Sequence, residues 1–339
     1  MAGAGLGLGL SGFVAARNWR YRRAAARGYD LADPPAPGTD EFNRLVEAIT
    51  GAPARENNRV RTMRNGDETF PAMLEAIGSA ERTVDFATYI YWTSTTADDF
   101  AEALMERARA GVEVNFLMDG WGSATIDRDL IRRVETTGVK VAFFRPPPLS
   151  SASRWNNRMH RRVLVVDGKV GFAGGVGIAE QWTGNAEDPD HWRETHVKVE
   201  GPAARDLLGA FLENWTEATG VVLTGRHLPE LAGFEGGARV QVTRSSSSDA
   251  STATEQLFYA AILGARHRLT ITTAYFAPRR AFVDALCASA ERGVDVQILV
   301  NGGPIDKHVV REAGQRSYGR LLEGGVRIFE YQKAMLHAK

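Results

Sequence analysis

Two histidines in the sequence are each followed, two positions later, by a basic residue: His160 by Arg162, and His337 by Lys339. Imidazole has an ordinary pKa near 6.5, so at neutral pH it can attack as a nucleophile or move a proton. A cation beside it can hold the oxygens of an anionic reacting group. The repeated pair therefore predicts one site, to which each copy contributes an imidazole and a cation.

A β-hairpin is predicted directly after the first pair. The apolar runs RVLVV and KVGFA flank Asp167 and Gly168, and Asp-Gly is a preferred centre for a type I′ turn. A two-residue turn would pair Val166 with Lys169. Asp167 would then lie roughly 23 Å from His160, at about 3.3 Å per residue, which makes it a turn residue.

The same register would place glycines next to the first histidine. It brings His160 beside Gly175, and it puts His160 and Arg162 on one face because side chains alternate along a strand. Gly174 and Gly175 would then leave open space where a reacting group approaches the ring.

Two long stretches share one order of features: helix, strand, helix, strand. Gly111 and Gly293 each close an amphipathic helix before a strand and lie 182 residues apart, and Gly138 and Gly325 lie 187 residues apart after the next helix. The helices of period 3.6 alternate with short strands rich in Val, Ile, Phe and Thr. This pattern predicts an α/β fold with two duplicated lobes, each a mixed β-sheet flanked by helices.

Four segments follow from this pattern. They are a membrane anchor or leader with a basic flank (1–29), a linker or entry segment (30–59), the first lobe (60–243) and a second, incomplete lobe (244–339). The polar run RSSSSDASTATE, which opens the second lobe, is either a flexible link or a loop that faces the substrate.

Composition argues against several functional classes. The 41 basic residues are balanced by 41 acidic ones, so no overall positive field would attract nucleic acid. The single cysteine, Cys287, excludes an intramolecular disulfide framework and a cysteine-based zinc or iron-sulfur site.

The N-terminal residues differ from the rest of the chain. Residues 2–16 are apolar and Gly-rich, and five arginines follow between positions 17 and 27. The run is shorter than the roughly 20 residues that span a bilayer, but positive charge after an apolar run is typical of a segment held on the cytoplasmic side. We expect a membrane anchor here, with a disordered leader as the alternative.

The first histidine motif and its surroundings resemble the phospholipase D superfamily, whose HxKxxxxD motif is followed by small residues. The matching positions are His160, Arg162, Asp167, Gly174 and Gly175. The second histidine and its lysine resemble the start of the second copy of that motif. Similarity to bacterial cardiolipin synthase-like members extends over about residues 60–339 and includes NGDETFPAMLEAI (65–77), HWRETHVKVEGPA (191–203) and SYGRLLEGGVRIFEYQ (317–332).

The resemblance implies a phosphatidyltransferase that acts on phospholipid phosphodiesters through a phosphohistidine, with no metal or cofactor. Its catalytic residues would be His160, Arg162, Asp167, His337 and Lys339, with Gly174 and Gly175 at the substrate. The nucleophile would be His160 and the acid-base group His337, although the residues alone also allow the reverse. Phosphatidylglycerol at the cytoplasmic face of a bacterial membrane would be the substrate.

Two departures from the family pattern favour altered or reduced activity. Arg162 replaces the motif lysine, which keeps the charge but changes a point donor to a fork, and Gly177 stands where many members carry Asn. The alternative functions are a phospholipase D hydrolase, a nuclease of the same superfamily and a noncatalytic lipid-binding fragment.

The second motif stops at its third residue in this sequence, Lys339. We expect the second lobe to expose a sheet edge, and we expect His337 and Lys339 to lie on a fraying terminus that supports little turnover.

A cluster of possible metal ligands lies between the two motifs. Its members are Asp188, Asp190, His191, Glu194 and His196. Because this spacing matches no common ligand pattern, we expect a loop entering a strand, with Trp192 packed and Arg193 paired to Glu194.

Overall fold

The computed structural model describes residues 28–146, 158–245 and 252–339. The expected membrane anchor lies almost wholly outside the described residues. Within those ranges, no helix has both the length and the apolar character needed to cross a bilayer.

The expected linker before the first lobe contains a helix, α1 (Asp40–Thr50). The Thr39 side chain accepts a hydrogen bond from the amide of Phe42 at its start, and Gly51 ends it in the left-handed conformation. The Arg266 guanidinium of the second lobe donates to the Pro34 carbonyl at 2.6 Å. Part of this segment is therefore folded and contacts the second lobe.

One mixed sheet of eight strands forms the first lobe. The strands are β1 (Arg55–Arg64), β2 (Thr83–Thr88), β3 (Glu113–Asp119), β4 (Lys140–Phe144), β5 (Val163–Val166), β6 (Val170–Gly174), β7 (Thr195–Glu200) and β8 (Ala238–Val240). Their order is β4-β3-β2-β5-β6-β7-β1-β8. Strands β2, β3 and β4 are parallel, and the remaining neighbours pair antiparallel.

Helices cover both faces of this sheet. They are α2 (Asn65–Gly78), α3 (Thr95–Arg109), α4 (Arg128–Thr136) and α5 (Ala204–Thr219), with 3₁₀ turns at Glu180–Trp182 and Gly225–His227. Along β2, Phe86 faces the core shared with α2, α3 and α4, and Ala87 faces the core shared with α5. This alternation confirms the predicted sandwich of sheet between helices.

The hairpin after the first motif has the predicted turn but a different register. Asp167 and Gly168 both have positive φ, 52° and 64°, and the Lys169 amide donates to the Val166 carbonyl at 2.9 Å. Val166, however, pairs with Val170 and not with Lys169. The expected register was therefore wrong by one residue, because three residues separate the paired positions.

The second lobe repeats part of this architecture. It contains α6 (Ala253–Gly264), β9 (Arg268–Thr272), α7 (Arg280–Glu291), β10 (Asp295–Asn301), α8 (His308–Gln315), α9 (Tyr318–Glu323) and β11 (Arg327–Tyr331). Its three strands are parallel in the order β11-β10-β9, which matches β4-β3-β2 and is consistent with the predicted duplication. Among the described residues β9 is an edge strand, as expected.

Candidate active site

His160 lies just before β5 and not within the ladder, since β5 begins at Val163. Its ring stacks on Tyr89, which follows β2, with centroids 4.0 Å apart. The neighbouring Met159 amide donates to the Asp119 carboxylate at 2.8 Å, which fixes the backbone at the end of β3. Desolvation lowers the pKa of His160, and the charges of Arg162, Lys339 and His337 add to this effect, so the ring favours its neutral form.

The guanidinium of Arg162 is buried behind that ring. Its Nη1 donates to the His160 carbonyl at 3.2 Å, and its carbon lies 5.4 Å from the Tyr89 ring centroid. Its buried Nε has no hydrogen-bond partner among the described residues. A buried donor without a partner is costly, so an anion bound here would stabilise this arginine as well as being held by it.

His337, in the second lobe, contacts a carboxylate of the first lobe. Its Nδ1 bonds to Glu194, whose side chain is 1% exposed. The ammonium group of Lys339 lies 2.9 Å from His337 Nε2 and donates to the His337 carbonyl at 2.7 Å. Although Lys339 as a residue is exposed, its ammonium group points inward, and desolvation lowers the pKa of Lys339 to about 8.

The segment that carries His337 is held at both sides. The Arg193 amide donates to the Met335 carbonyl, and the His337 amide donates to the Arg193 carbonyl, each at 2.8 Å. Buried Asn301 accepts from the Leu336 amide at 2.6 Å and donates to the Leu336 carbonyl at 2.8 Å. The expected fraying is therefore wrong for residues 335–337, because both lobes bond their backbone.

Glu194 is the principal site residue that the sequence interpretation missed. Its amide donates to the Asn65 side chain at 2.9 Å, and its own carboxylate accepts from the Thr195 amide at 2.9 Å. The expected side-chain pair with Arg193 is wrong, since the Arg193 guanidinium binds the Glu194 carbonyl, Asn65 and Thr195. The only signal in the sequence was a Glu just before a predicted strand. That signal could not identify His337, which lies 143 residues away, as its partner.

The two glycines at the end of β6 serve packing. A Cβ on Gly174 would lie 2.5 Å from the His196 ring, and a Cβ on Gly175 would lie 2.2 Å from a Glu194 carboxylate oxygen. The expectation of open space for a substrate is therefore corrected: the absent side chains admit His196 and Glu194. Gly175 acts on the site indirectly, by making room for the partner of His337.

Asp167 lies at the turn, far from the imidazoles along β5. Its carboxylate accepts from the backbone amides of Glu81, Arg82 and Thr83 at 2.7–3.0 Å. This confirms Asp167 as a turn residue, and its described contacts join the hairpin to the start of β2.

The electrostatic effects of His160, Arg162, His337 and Lys339 on one another place these residues near one another where the lobes meet, a region that we call the cleft. Besides the mutual effects on His160, the charge of Arg162 lowers the pKa of both His337 and Lys339 after the larger effect of burial. Tyr275 lies on the second-lobe side, where its ring centroid is 6.4 Å from that of His337. The fifth predicted residue, Asp167, does not share these contacts.

Two tryptophan rings pack near His337, and one of them, Trp182, is buried in the first-lobe core. Trp182 and Trp192 lie 5.4 and 5.3 Å from the His337 ring, between centroids. The prediction that Trp192 packs is confirmed. Beside Lys339 and Tyr275, a mainly apolar groove of about 820 Å³ follows β9, α6 and α7.

The possible metal ligands do not gather as the sequence cluster suggested. Glu187, Asp188 and His191 have ligand atoms within 4.8 Å of one another on an exposed loop. Glu194 bonds instead to His337. His196 is buried beside Gly174, and burial lowers its pKa to about 4.

Comparison with known proteins agrees with this geometry. The family model described as the PLD-like domain of cardiolipin synthase matches residues 73–215 and 258–339. Cardiolipin synthases of Geobacillus kaustophilus and Halalkalibacterium halodurans are 34% and 32% identical over 309 and 299 residues, which is 90% and 87% of this chain. The chain spans about three fifths of their length, 61% and 59% respectively.

A solved structure shows the same fold. The phosphatidylserine synthase of Haemophilus influenzae aligns with a TM-score of 0.60 at 12% identity, over 88% of this chain and 80% of that one. With the two histidine-centred motifs in one cleft and the family match across both lobes, the chain belongs to the cardiolipin synthase family with phospholipase D-like domains.

Proposed function

We propose that this chain is a phosphatidyltransferase of the phospholipase D type, which moves a phosphatidyl group between phospholipids through a phosphohistidine. The observation that carries the proposal is the contact of His337 with Glu194 across the two lobes, in the cleft that also holds His160. Two imidazoles in unlike surroundings are what a nucleophile and an acid-base partner require.

In the first half-reaction, a neutral His160 nitrogen attacks phosphorus. The bond from phosphorus to the headgroup oxygen breaks, and that oxygen takes a proton from His337. The cations of Arg162 and Lys339 hold the nonbridging oxygens while charge shifts among them. Glu194 stabilises the imidazolium form of His337, which must carry the proton.

In the second half-reaction, His337 accepts a proton from the hydroxyl of the acceptor. The acceptor oxygen then bonds to phosphorus, and the phosphorus–nitrogen bond breaks with its electron pair returning to His160. One phosphodiester forms for each one broken, and no net proton is consumed. With phosphatidylglycerol as donor and acceptor, the products are cardiolipin and glycerol.

We place this reaction at the cytoplasmic face of the bacterial membrane. The arginines at positions 17–27 after an apolar run support that side, and the apolar groove beside Lys339 suits a lipid substrate.

The test is turnover and trapping with ³²P-labelled phosphatidylglycerol. The chain should form labelled cardiolipin, and a covalent adduct quenched during turnover should be located on His160 by mass spectrometry. His337→Ala should form both adduct and product far more slowly, because His337 supplies the proton of the first half-reaction. His160→Ala should form neither product nor adduct.

His267→Ala is the matched control, because His267 is exposed on the second lobe. It should retain the turnover of the unaltered chain. Phosphatidic acid as the sole product would identify a hydrolase instead, and cleavage of a labelled oligonucleotide without any lipid product would identify a nuclease. An adduct on His337 would reverse the two roles.

A further inference from the structure

A second cavity lies next to His160, on the first lobe. It encloses about 370 Å³ and shares His160 with the catalytic cleft. Three of its lining residues are arginines, namely Arg145, Arg158 and Arg161, and Asn214 adds an amide. Among the described residues that line it, none is acidic.

The cavity carries an excess of positive charge. Arg145 pairs with Glu217 at 2.5 Å, and Arg161 pairs with Glu213 at 2.6 Å. Glu213 is shared with Arg244, so among the described residues three arginines in and beside the cavity pair with two carboxylates. These carboxylates are 45% and 44% exposed, and ion pairs with exposed partners are weak in water, so an anion can compete with them.

Contacts with the protein hold the arginines in place before any ligand arrives. Arg161 donates to the Ala210 carbonyl at 2.8 Å and to Asn214 at 3.1 Å, and Arg158 donates to the Arg145 carbonyl at 3.1 Å. Arg145 itself has φ of 43°, a left-handed conformation that costs a non-glycine residue free energy. Guanidinium groups fixed in this way match the oxygens of a phosphate.

A large aromatic side chain stands beside the cavity. Trp121 is 53% exposed, and the Arg158 guanidinium carbon lies 5.5 Å from its ring centroid. Exposed Trp next to Arg is typical of a protein surface that sits at the level of lipid headgroups.

We propose that this arginine cavity binds the phosphate of a second, non-reacting anionic phospholipid, with Trp121 inserted among the neighbouring headgroups. The site holds the mouth of the catalytic cleft against the bilayer. This proposal rests on the proposed function only because it assumes that the substrate is a membrane lipid. Its test measures binding to vesicles and does not require turnover.

The test is sedimentation of the full chain with vesicles of phosphatidylcholine, with or without phosphatidylglycerol. Arg158→Gln should weaken binding to the phosphatidylglycerol vesicles about fivefold, the effect of one arginine near an anionic surface. Arg268→Gln is the control, since Arg268 is exposed at the start of β9, at the opposite end of the strands from the site. It should bind as the unaltered chain does.

A second measurement does not depend on the arginine substitution. Brominated phosphatidylglycerol should quench part of the tryptophan emission of the unaltered chain, and Trp121→Phe should lose that part. Equal binding by the Arg158→Gln and Arg268→Gln chains, or an equal loss on vesicles without phosphatidylglycerol, would overturn the proposal. Displacement of the vesicles by millimolar glycerol 3-phosphate would also overturn it, because the site would then take a free phosphate. A chain that binds vesicles but transfers nothing would refute the proposed function alone.

Discussion

At the scale of single residues, Glu194 influences the orientation and the protonation of the His337 imidazole. A carboxylate that is 1% exposed would be strongly destabilising without a partner. Burial raises the pKa of Glu194. Its bond to His337 and the nearby charge of Lys339 lower the pKa by more than burial raises it, so the pKa falls overall. The ionised carboxylate fixes the orientation of the imidazole and favours its protonated form.

Glu194→Gln should therefore lower kcat about a hundredfold, the lower range of the contribution of a general acid-base group. It should also shift the alkaline limb of the kcat profile to lower pH, because His337 loses the charge that favours its proton. Glu187→Gln is the control, since the side chain of Glu187 is 49% exposed and faces His191. A kcat within twofold and an unmoved profile would show that Glu194 is only structural.

The ammonium group of Lys339 predicts a pH dependence. Its pKa of about 8 means that the cation is present below that pH and is lost above it. Since the cation binds phosphoryl oxygens, kcat/KM should fall as pH rises through about 8. Lys339→Arg should remove this limb from the pH profile, because a guanidinium stays charged. Lys333→Arg, at an exposed position, should keep it, and a limb near pH 8 in both variants would assign it to another group.

At the scale of elements, the turn between β5 and β6 joins the hairpin to β2. Asp167 does this through three backbone amides, and it tolerates a positive φ, as Asp and Asn often do. At the position that the family motif marks as catalytic, the described contacts therefore join two strands.

Asp167→Ala should lower the free energy of unfolding by about 1–3 kcal/mol, because amides near Thr83 lose their acceptor. The turnover of the folded protein should fall far less than in His160→Ala. Asp99→Ala, at an exposed position of α3, should change stability by less than about 0.5 kcal/mol. Thermal denaturation with parallel assays checks both. A loss of turnover as large as that of His160→Ala, with unchanged stability, would show a chemical role.

At the scale of the whole molecule, periodicity was enough to predict an α/β fold with a sheet between helices, because helix and strand repeats are local properties. The prediction of a shared site came instead from the two His and basic residue pairs. The Glu194–His337 contact could not be predicted, since each residue is ordinary among its own neighbours. The predicted register of the hairpin was wrong by one residue. The turn hydrogen bond joins Val166 to Lys169, whereas the strand pairing joins Val166 to Val170. Helix α1 was missed although Thr39 and Gly51 are ordinary capping residues, because Pro and Gly nearby suggested a linker.

Attachment to the membrane is a further property that we predict for the whole chain. Removal of residues 2–27 should shift the protein from the membrane fraction to the supernatant in cell fractionation, because the apolar run and its arginines are lost. A variant with Arg17, Arg20, Arg22, Arg23 and Arg27 changed to Gln tests the charge separately and should show a smaller shift. Unchanged fractionation after the deletion would show that the folded body alone holds the membrane.

The backbone bonds from Arg193 and Asn301 to residues 335–337 also bear on biosynthesis. His337 leaves the ribosome 177 residues after His160. At about 5–20 residues per second this interval lasts roughly 9–35 s, in which the nascent first lobe has time to fold with only one of the two imidazoles of the proposed mechanism. In the proposed mechanism the growing chain lacks its proton donor during that time, so we expect it to stay inert towards the surrounding lipids until translation delivers the second lobe.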